Sequence, residues 1–331
     1  MRRRLKPVLI VLFTLIVGGG GWITWQLRSP PAPPASQRLP ISLSPTPALR
    51  AQFFGATTLL LRDRDHAVMI DALLSRPGMC DVLFGTIGPD AARVDSVLKR
   101  GKVDKIDLLF ITHSHYDHSL DAAAIARRTG AIIIGSASTQ QIALGGGVGA
   151  ARTRLVAGGE RFDAGSFRVT AFRSRHSPGD HVPGVITGPI RPPAKAQDYK
   201  NGGTYAYLVE HGGLRILVHA SANYVPDMYR GVKADIVFIA IGGLGAQPAD
   251  FVERYWRETV GATGARLVIP THWDNFVRPL DGPFVPLPRL MDDVPAAIAK
   301  IESLAKHDRV TIRTMPPVAP VDIAAALPAR R

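Results

Sequence analysis

The stretch FITHSHYDHSL, residues 110–120, groups residue types that bind metal ions. An almost continuous apolar run, KIDLLFIT, is followed at once by His113, His115, Asp117 and His118. Such a run is typical of a strand buried on both faces. In extended backbone alternate side chains point the same way, so His113 and His115 share a face. Imidazoles and a carboxylate converging at a strand end can bind a divalent ion. A capping or core role would explain one such histidine, but not the whole group.

The order HSHYDH fills the HxHxDH motif of the metallo-β-lactamase fold superfamily, which the chain resembles over about residues 48–313. HAVMIDA resembles the family strand that ends in an aspartate, here Asp71, which usually orients groups beneath the metals. SRHSPG and VIPTHWDNF place His176 and His272 where the family has its third and last histidines. PTHWDNF is most similar to the UlaG-like branch of metal-dependent hydrolases.

By the family's pattern, the resemblance implies two metal sites. One would be formed by His113, His115 and His176, and the other by Asp117, His118 and His272. Three protein ligands for each ion leave a coordination position for water or substrate, which is the catalytic arrangement. A metal-bound hydroxide would then be the nucleophile, oriented by Asp117. Zinc is the expected ion, with manganese and iron as alternatives.

One position departs from the family pattern. ILVHASANY aligns with the segment whose aspartate usually bridges the two metals, and Ser221 takes the place of that aspartate. Removing a negative charge from between two cations should weaken the second site, so one metal and two metals are both compatible with the sequence. His219 is either a substitute ligand or a hydrogen-bonded structural residue. Tyr224 either lines the pocket or packs in the core.

The segment after the third histidine carries the clues to the substrate. Residues 177–203 are rich in proline and glycine and contain His181, Arg191, Lys195 and Lys200. A loop that follows a metal ligand often overhangs the site. Its basic residues therefore either meet an anionic substrate or are solvated loop charges.

The formal charge of +13 is unevenly distributed along the chain. No acidic residue precedes Asp63, whereas 8 of the 40 basic residues do. From there on, 32 basic residues accompany 27 acidic ones, so the body carries little net charge. We therefore expect no nucleic-acid partner, and a small-molecule or lipid-like substrate instead.

The N-terminal sequence predicts a membrane anchor. Residues 7–27 contain no charged side chain and, as a helix, could cross a hydrocarbon core of roughly 30 Å. Four basic residues precede this stretch and only Arg28 follows it closely, which favours a cytoplasmic N-terminus. We predict a single pass through the inner membrane with the body on the periplasmic side. A cleaved signal peptide is the alternative.

Strands and helices alternate in two similar runs through the body. This order predicts an α/β (α+β) fold, a four-layer αββα sandwich preceded by a transmembrane helix. The predicted parts are an anchor over 1–28, a linker with seven prolines over 29–47, and a hydrolase domain over 48–331.

These features together predict a membrane-anchored, metal-dependent hydrolase. Its expected target is an ester or phosphodiester bond in a lipid-like or small anionic substrate. A lactonase or β-lactamase activity is the first alternative, which the missing bridging aspartate suggests. A non-catalytic metal-binding envelope protein is the second. The sequence leaves the oligomeric state open.

Overall fold

Two seven-stranded sheets form the centre of the protein in the computed structural model, which describes residues 24–44 and 48–329. Across the first sheet the strands are β14 (Pro320–Asp322), β1 (Arg50–Phe53), β2 (Leu59–Arg62), β3 (Ala67–Ile70), β4 (Leu108–Phe110), β5 (Ile132–Gly135) and β6 (Thr153–Leu155). Across the second they are β13 (Thr311–Ile312), β12 (Leu267–Thr271), β11 (Ile236–Ala240), β10 (Leu214–His219), β9 (Thr204–His211), β8 (Phe167–Ser174) and β7 (Arg161–Ala164). Each sheet is mixed: β3 to β6 and β10 to β13 run parallel, and the remaining neighbours are antiparallel.

The helices lie outside the sheets and along their connections. They are α1 (Met79–Phe84), α2 (Ala91–Gly101), α3 (Tyr116–Ser119), α4 (Ala122–Thr129), α5 (Ala137–Gly145), α6 (Ala249–Trp256) and α7 (Val294–Asp308), with a π-helical turn, Arg257–Gly261, continuing α6. Both α4 and α5 contact β5, and α6 packs on α7. The predicted mixed, two-sheet fold is therefore confirmed.

Side-chain caps define several helix starts. The carboxylate of Asp90 accepts a hydrogen bond from the Arg93 amide at the start of α2, and the Ser136 hydroxyl accepts one from the Thr139 amide at the start of α5. These bonds satisfy amides that have no partner within the helix. Helix α4 ends at Gly130, whose φ of 83° is the left-handed conformation that glycine adopts without strain.

Aromatic side chains fill the space between the sheets. The ring of Phe110 in β4 lies 4.9 Å from that of Tyr207 in β9 and 5.7 Å from that of Phe162 in β7. The Tyr207 hydroxyl donates a 2.9 Å hydrogen bond to the Ile111 carbonyl, so its polar end is satisfied inside the core. Strands β3, β4, β11 and β12 are buried along their whole length, as expected of parallel strands covered on both faces.

The structure corrects the predicted inner-membrane location. Within residues 24–44 and 48–329, no helix is both long and apolar enough to cross a bilayer. Most of the predicted anchor lies in residues 1–23, outside the described part of the chain. The described remainder contacts the body instead: the Trp25 ring lies 4.5 Å from the Arg289 guanidinium, and the Gln26 carbonyl accepts a hydrogen bond from the Leu290 amide.

The proline-rich segment that follows runs along the body. The Leu39 amide donates to the Thr314 carbonyl at 2.8 Å, and the Ser42 amide donates to the Pro320 carbonyl at 2.8 Å. The Leu39 side chain is buried. Residues 38–42 therefore run from Thr314 to Pro320, the first residue of strand β14.

Candidate metal centre

The candidate ligands gather where strands end at one edge of the sandwich. Asp71 follows β3, the HSHYDH motif follows β4, and His272 follows β12. The motif's second half forms α3, so its ligands come from a strand end and a helix start. Two groups result, each with ligand atoms within 4.8 Å of one another: His113 with His115 and His176, and Asp117 with His118 and His272.

The first group is almost threefold symmetric. The ring centroids of His113, His115 and His176 are 4.8 Å apart in every pair, and their planes are inclined at 77–78°. Nε2 of His115 donates to the Val182 carbonyl at 3.1 Å, and Nδ1 of His176 donates to the Ser177 carbonyl at 3.0 Å. In each of these two rings the other nitrogen therefore keeps its lone pair.

The burial and hydrogen bonding of His113 show whether a metal ion fits this group. The side chain is buried, and its Nε2 has no hydrogen-bond partner among the residues that the structure describes. Burial, together with the neighbouring histidines, lowers the pKa of His113 well below its usual value, so the ring is neutral at pH 7. Burial likewise lowers the pKa of His176 to about 4. A buried, unpaired nitrogen is costly, and a metal ion would satisfy it. The residues therefore fit a metal ion.

The second group contains a carboxylate between two histidines. Oδ2 of Asp117 lies 3.1 Å from Nε2 of His272 and 3.5 Å from Nε2 of His118. Burial opposes the ionisation of Asp117, but the charges of these histidines hold its pKa well below the usual range. Burial also opposes the protonation of His272, yet its hydrogen bond to Asp117 raises its pKa. Asp117 is thus a carboxylate at neutral pH.

Asp71 lies beneath this second group and fixes the ring of His118. Its fully buried carboxylate accepts hydrogen bonds from Nδ1 of His118 at 2.8 Å, from the Thr112 amide at 2.7 Å and from the Thr57 hydroxyl at 2.5 Å. Because Nδ1 of His118 donates to Asp71, Nε2 is the ring atom that faces Asp117 and that would bind a metal ion once it is deprotonated.

We expect Asp71→Asn to weaken metal binding by about 10- to 100-fold, because a neutral amide is a poorer acceptor for the His118 ring than a carboxylate. The dissociation constant measured by competition with a chromogenic chelator checks this. Asp107→Asn is the matched control, since that carboxylate lies 3.4 Å from the ring of His66, outside both ligand groups. Equal affinities in both variants would contradict a role for Asp71 in ligand orientation.

A buried ion pair that the sequence did not reveal supports His272. Nη2 of Arg76 lies 2.6 Å from Oδ2 of Asp274, and both side chains are at most 1% exposed. The Ala56 amide donates to Oδ1 of Asp274 at 2.7 Å, and the Ala56 carbonyl accepts from the His272 amide at 2.6 Å. The pair therefore connects the β1–β2 turn to the loop that carries the last histidine. Asp274 belongs to the quoted THWDNF segment, but no sequence signal pairs it with Arg76.

Strained backbone gathers in the same region. Ala56, Asp71, Arg76 and His272 have φ values of 48°, 57°, 46° and 58°, in the left-handed region that non-glycine residues rarely adopt. Such strain persists only where surrounding contacts overdetermine the conformation. The hydrogen bonds of Asp71 and the Arg76–Asp274 pair provide those contacts.

Both ring nitrogens of His219 are hydrogen-bonded within the protein, which favours a structural role over that of a substitute ligand. Its Nδ1 accepts from the Tyr229 hydroxyl at 2.8 Å, and its Nε2 donates to the Asn223 carbonyl at 2.7 Å, so both ring nitrogens are occupied. The side-chain amide of Asn223 donates in turn to the His176 carbonyl at 2.6 Å. His219 therefore stabilises the loop on which the first ligand group depends.

Ser221 and Tyr224, which follow His219 in the sequence, have different surroundings. Ser221 lines the cavity above the ligand groups, and its buried hydroxyl has no partner within the described part of the chain. The Tyr224 ring packs 5.5 Å from that of Phe251 and does not line that cavity. Of the two interpretations of Tyr224, the structure favours core packing.

The cavity that opens over both ligand groups has a volume of about 490 Å³. His181 lines it, and its contact with substrate stays a prediction. Arg191, Lys195 and Lys200 are exposed and lie outside the lining. Of the two interpretations of these basic residues, this placement favours solvated loop charges over contacts with an anionic substrate.

Comparison with known proteins agrees with this geometry. Residues 66–273 match the family described as the β-lactamase superfamily domain. A UPF0173 metal-dependent hydrolase from Staphylococcus aureus (strain bovine RF122 / ET3-1) is 28% identical over 236 residues, covering 69% of this chain and 87% of the relative. One from Heliobacterium modesticaldum is 26% identical over 240 residues, covering 69% and 84%.

Solved structures share the fold. A metallo hydrolase from Ignicoccus hospitalis superposes with a TM-score of 0.51 at 18% identity, covering 82% of this chain and 97% of that one. An isothiocyanate hydrolase from Delia radicum gut bacteria also gives a TM-score of 0.51, at 13% identity, covering 82% and 98%. These similarities are to the superfamily as a whole, and membership of the UlaG-like branch stays a prediction.

Proposed function

Because the chain belongs to the β-lactamase superfamily and is a metal-dependent hydrolase, we propose that it cleaves an ester or phosphodiester bond of a small or lipid-like substrate. The observation that carries the proposal is the buried, unpartnered Nε2 of His113 within a symmetric group of three histidines. Neutral imidazoles in this arrangement are suited to binding a catalytic divalent ion.

We assign the metal ligands from the two groups. His113, His115 and His176 would hold one ion, and Asp117, His118 and His272 a second, with zinc as the proposed metal. Divalent ions bound there would activate water and polarise the scissile bond by Lewis acidity. Asp117, ionised at neutral pH, accepts a hydrogen bond from the attacking water and orients it. The Ser221 hydroxyl, free of protein partners among the described residues, is available to hydrogen-bond water or substrate.

The proposal is tested by measuring metal content and substrate range on the full-length protein. Elemental analysis is expected to find one or two equivalents of a divalent metal per chain. The metal-loaded protein is expected to hydrolyse p-nitrophenyl esters or bis(p-nitrophenyl) phosphate, to lose that activity with a chelator and to regain it with zinc. Cleavage of neither class, together with cleavage of another bond class, would overturn the proposal.

A lactone or β-lactam substrate is the second candidate, and Ser221 is the observation in its favour. The position aligned with the bridging aspartate carries a hydroxyl, so the two ligand groups share no carboxylate there. A nitrocefin assay and a γ-lactone ring-opening assay separate this candidate from the first. Turnover of either substrate above that of the linear esters would favour it.

Metal removal is expected to lower the midpoint of thermal unfolding by about 10 °C, because tight binding to the folded state alone adds several kcal/mol to its stability. Each ligand group also joins residues from both halves of the fold, such as His113 and His176. Calorimetry with and without a chelator, followed by zinc addition, measures the shift. A His113→Ala/His118→Ala double variant is expected to show little chelator response. Superimposable curves for the native chain would contradict a bound structural or catalytic ion.

A further inference from the structure

Apolar surface dominates the walls of the cavity, alongside the candidate ligands and a few other polar side chains. Helix α1 contributes Val82 and Leu83. The segment 177–203 contributes Val182 and Ala196, and its Tyr199 is fully buried at the same cavity. Ligand cavities of this size usually recognise their ligand by apolar contact plus a few polar groups. Here the polar groups outside the metal centre are those of Tyr116, Ser177, His181, Gln197, Tyr199 and Ser221, and none of them is a lysine, an arginine or a carboxylate.

Apart from histidines, the lining offers no cationic side chain to an anionic group on the substrate. Among the described residues, it contains no lysine or arginine, and Asp117 is its only acidic side chain. An anionic arm that entered the cavity would lose its hydration without gaining a cation beyond the metal centre itself. An apolar arm would instead gain from leaving water.

Helix α1 extends the apolar surface outside the cavity. None of its six residues is buried, and its last two, Leu83 and Phe84, are 53% and 87% exposed. Large apolar side chains exposed side by side at the rim of a cavity are typical of ligand-contact surfaces. Because Leu83 also lines the cavity, the two surfaces are continuous.

We propose that the substrate carries an uncharged, apolar arm that lies in this cavity and reaches Leu83 and Phe84 of α1. The inference rests on the proposed function for the reacting bond and narrows the substrate class to neutral esters with an apolar acyl group. Small anionic substrates, which the basic loop suggested, are disfavoured by the same walls.

Two esters that differ in the charge of the arm test this proposal. The p-nitrophenyl ester of 6-methylheptanoic acid and the p-nitrophenyl monoester of adipic acid have nearly the same shape, but only the second ends in a carboxylate. With the full-length, metal-loaded protein, we expect kcat/KM to be at least about tenfold higher for the neutral ester. Calorimetric binding of the two matching anilides, which replace the reactive ester, is expected to show the same preference.

Leu83→Lys supplies the missing cation at the rim. We expect this variant to shift the ratio of the two kcat/KM values toward the anionic ester by about tenfold, whereas Leu155→Lys, at a 54% exposed position outside the cavity, leaves the ratio unchanged. Esterase activity without a preference between the arms would overturn the proposal and leave the proposed function intact. Preferential binding of the neutral anilide without any esterase activity would support the cavity assignment and contradict the proposed bond class.

Discussion

His115→Ala is expected to abolish metal-dependent hydrolysis, with a loss in kcat/KM of about 10³-fold or more. A divalent ion lowers the barrier of such a reaction by several kcal/mol, and each 1.36 kcal/mol changes the rate tenfold. The ring lies in the threefold group with His113 and His176, and no other described histidine of that group can replace it. Its hydrogen bond to the Val182 carbonyl also positions the segment 177–203, so metal and substrate sites are affected together.

The measurement combines steady-state kinetics with the metal content of the same sample. The expected result is loss of about one equivalent of metal together with the loss of turnover, while the circular dichroism of the fold is preserved. His307→Ala is the matched control, because that ring is exposed and belongs to neither ligand group. Retained metal-dependent turnover in His115→Ala would remove these histidines from the mechanism.

Arg76→Met is expected to reduce the free energy of unfolding by about 3–5 kcal/mol, because it leaves the Asp274 carboxylate buried without its counter-charge. Four acceptors surround the guanidinium: the Asp274 carboxylate and the carbonyls of Phe54, Asn275 and Arg278. The site has no room for rearrangement, since a Cβ at Gly55 would lie 1.7 Å from Nη2 of Arg76. Hydrolytic activity is expected to fall as well, because the pair supports the backbone beside His272.

Urea unfolding followed by fluorescence measures this loss. The matched control is Arg230→Met, whose ion pair with Asp227 is exposed, and whose unfolding midpoint is expected to stay at that of the native chain. The double substitution Arg76→Met/Asp274→Leu is expected to recover much of the stability, because no unpaired charge remains. An Arg76→Met variant as stable as the control would show that solvent or rearrangement compensates the carboxylate.

The sequence predicted those parts of the fold and site that depend on the residues within one short segment. A buried strand followed by HSHYDH can be recognised as a metal-binding motif from the sequence alone, because its four candidate ligands lie within six positions. Apolar runs likewise marked most strands. The apolar stretch over residues 53–61 does not form a single strand, because the chain turns at Gly55, whose φ of 83° interrupts the extended backbone between β1 and β2.

Other features could not be found from the sequence because they depend on distant contacts or lack periodicity. Arg76 and Asp274 are 198 positions apart, and nothing local distinguishes either from a surface charge. Helix α1 has only six residues and buries none of them, so it is too short for a helical period to be identified from the sequence. The predicted membrane location relied on apolar composition near the N-terminus, which carries no information about the contacts that Trp25 and Gln26 make with the body.

The outer edge of the first sheet, formed by β14 and residues 38–42, affects how readily molecules associate through their strands in concentrated solution. An unpaired outer strand is a template onto which a second molecule can add a strand, and repeated addition produces fibrils. Strand β14 covers the edge of β1, and the Ser42 amide donates in turn to the Pro320 carbonyl of β14. The outer strand has only three residues and begins with a proline, which has no amide to donate, so the first sheet offers a short edge for growth by strand addition there.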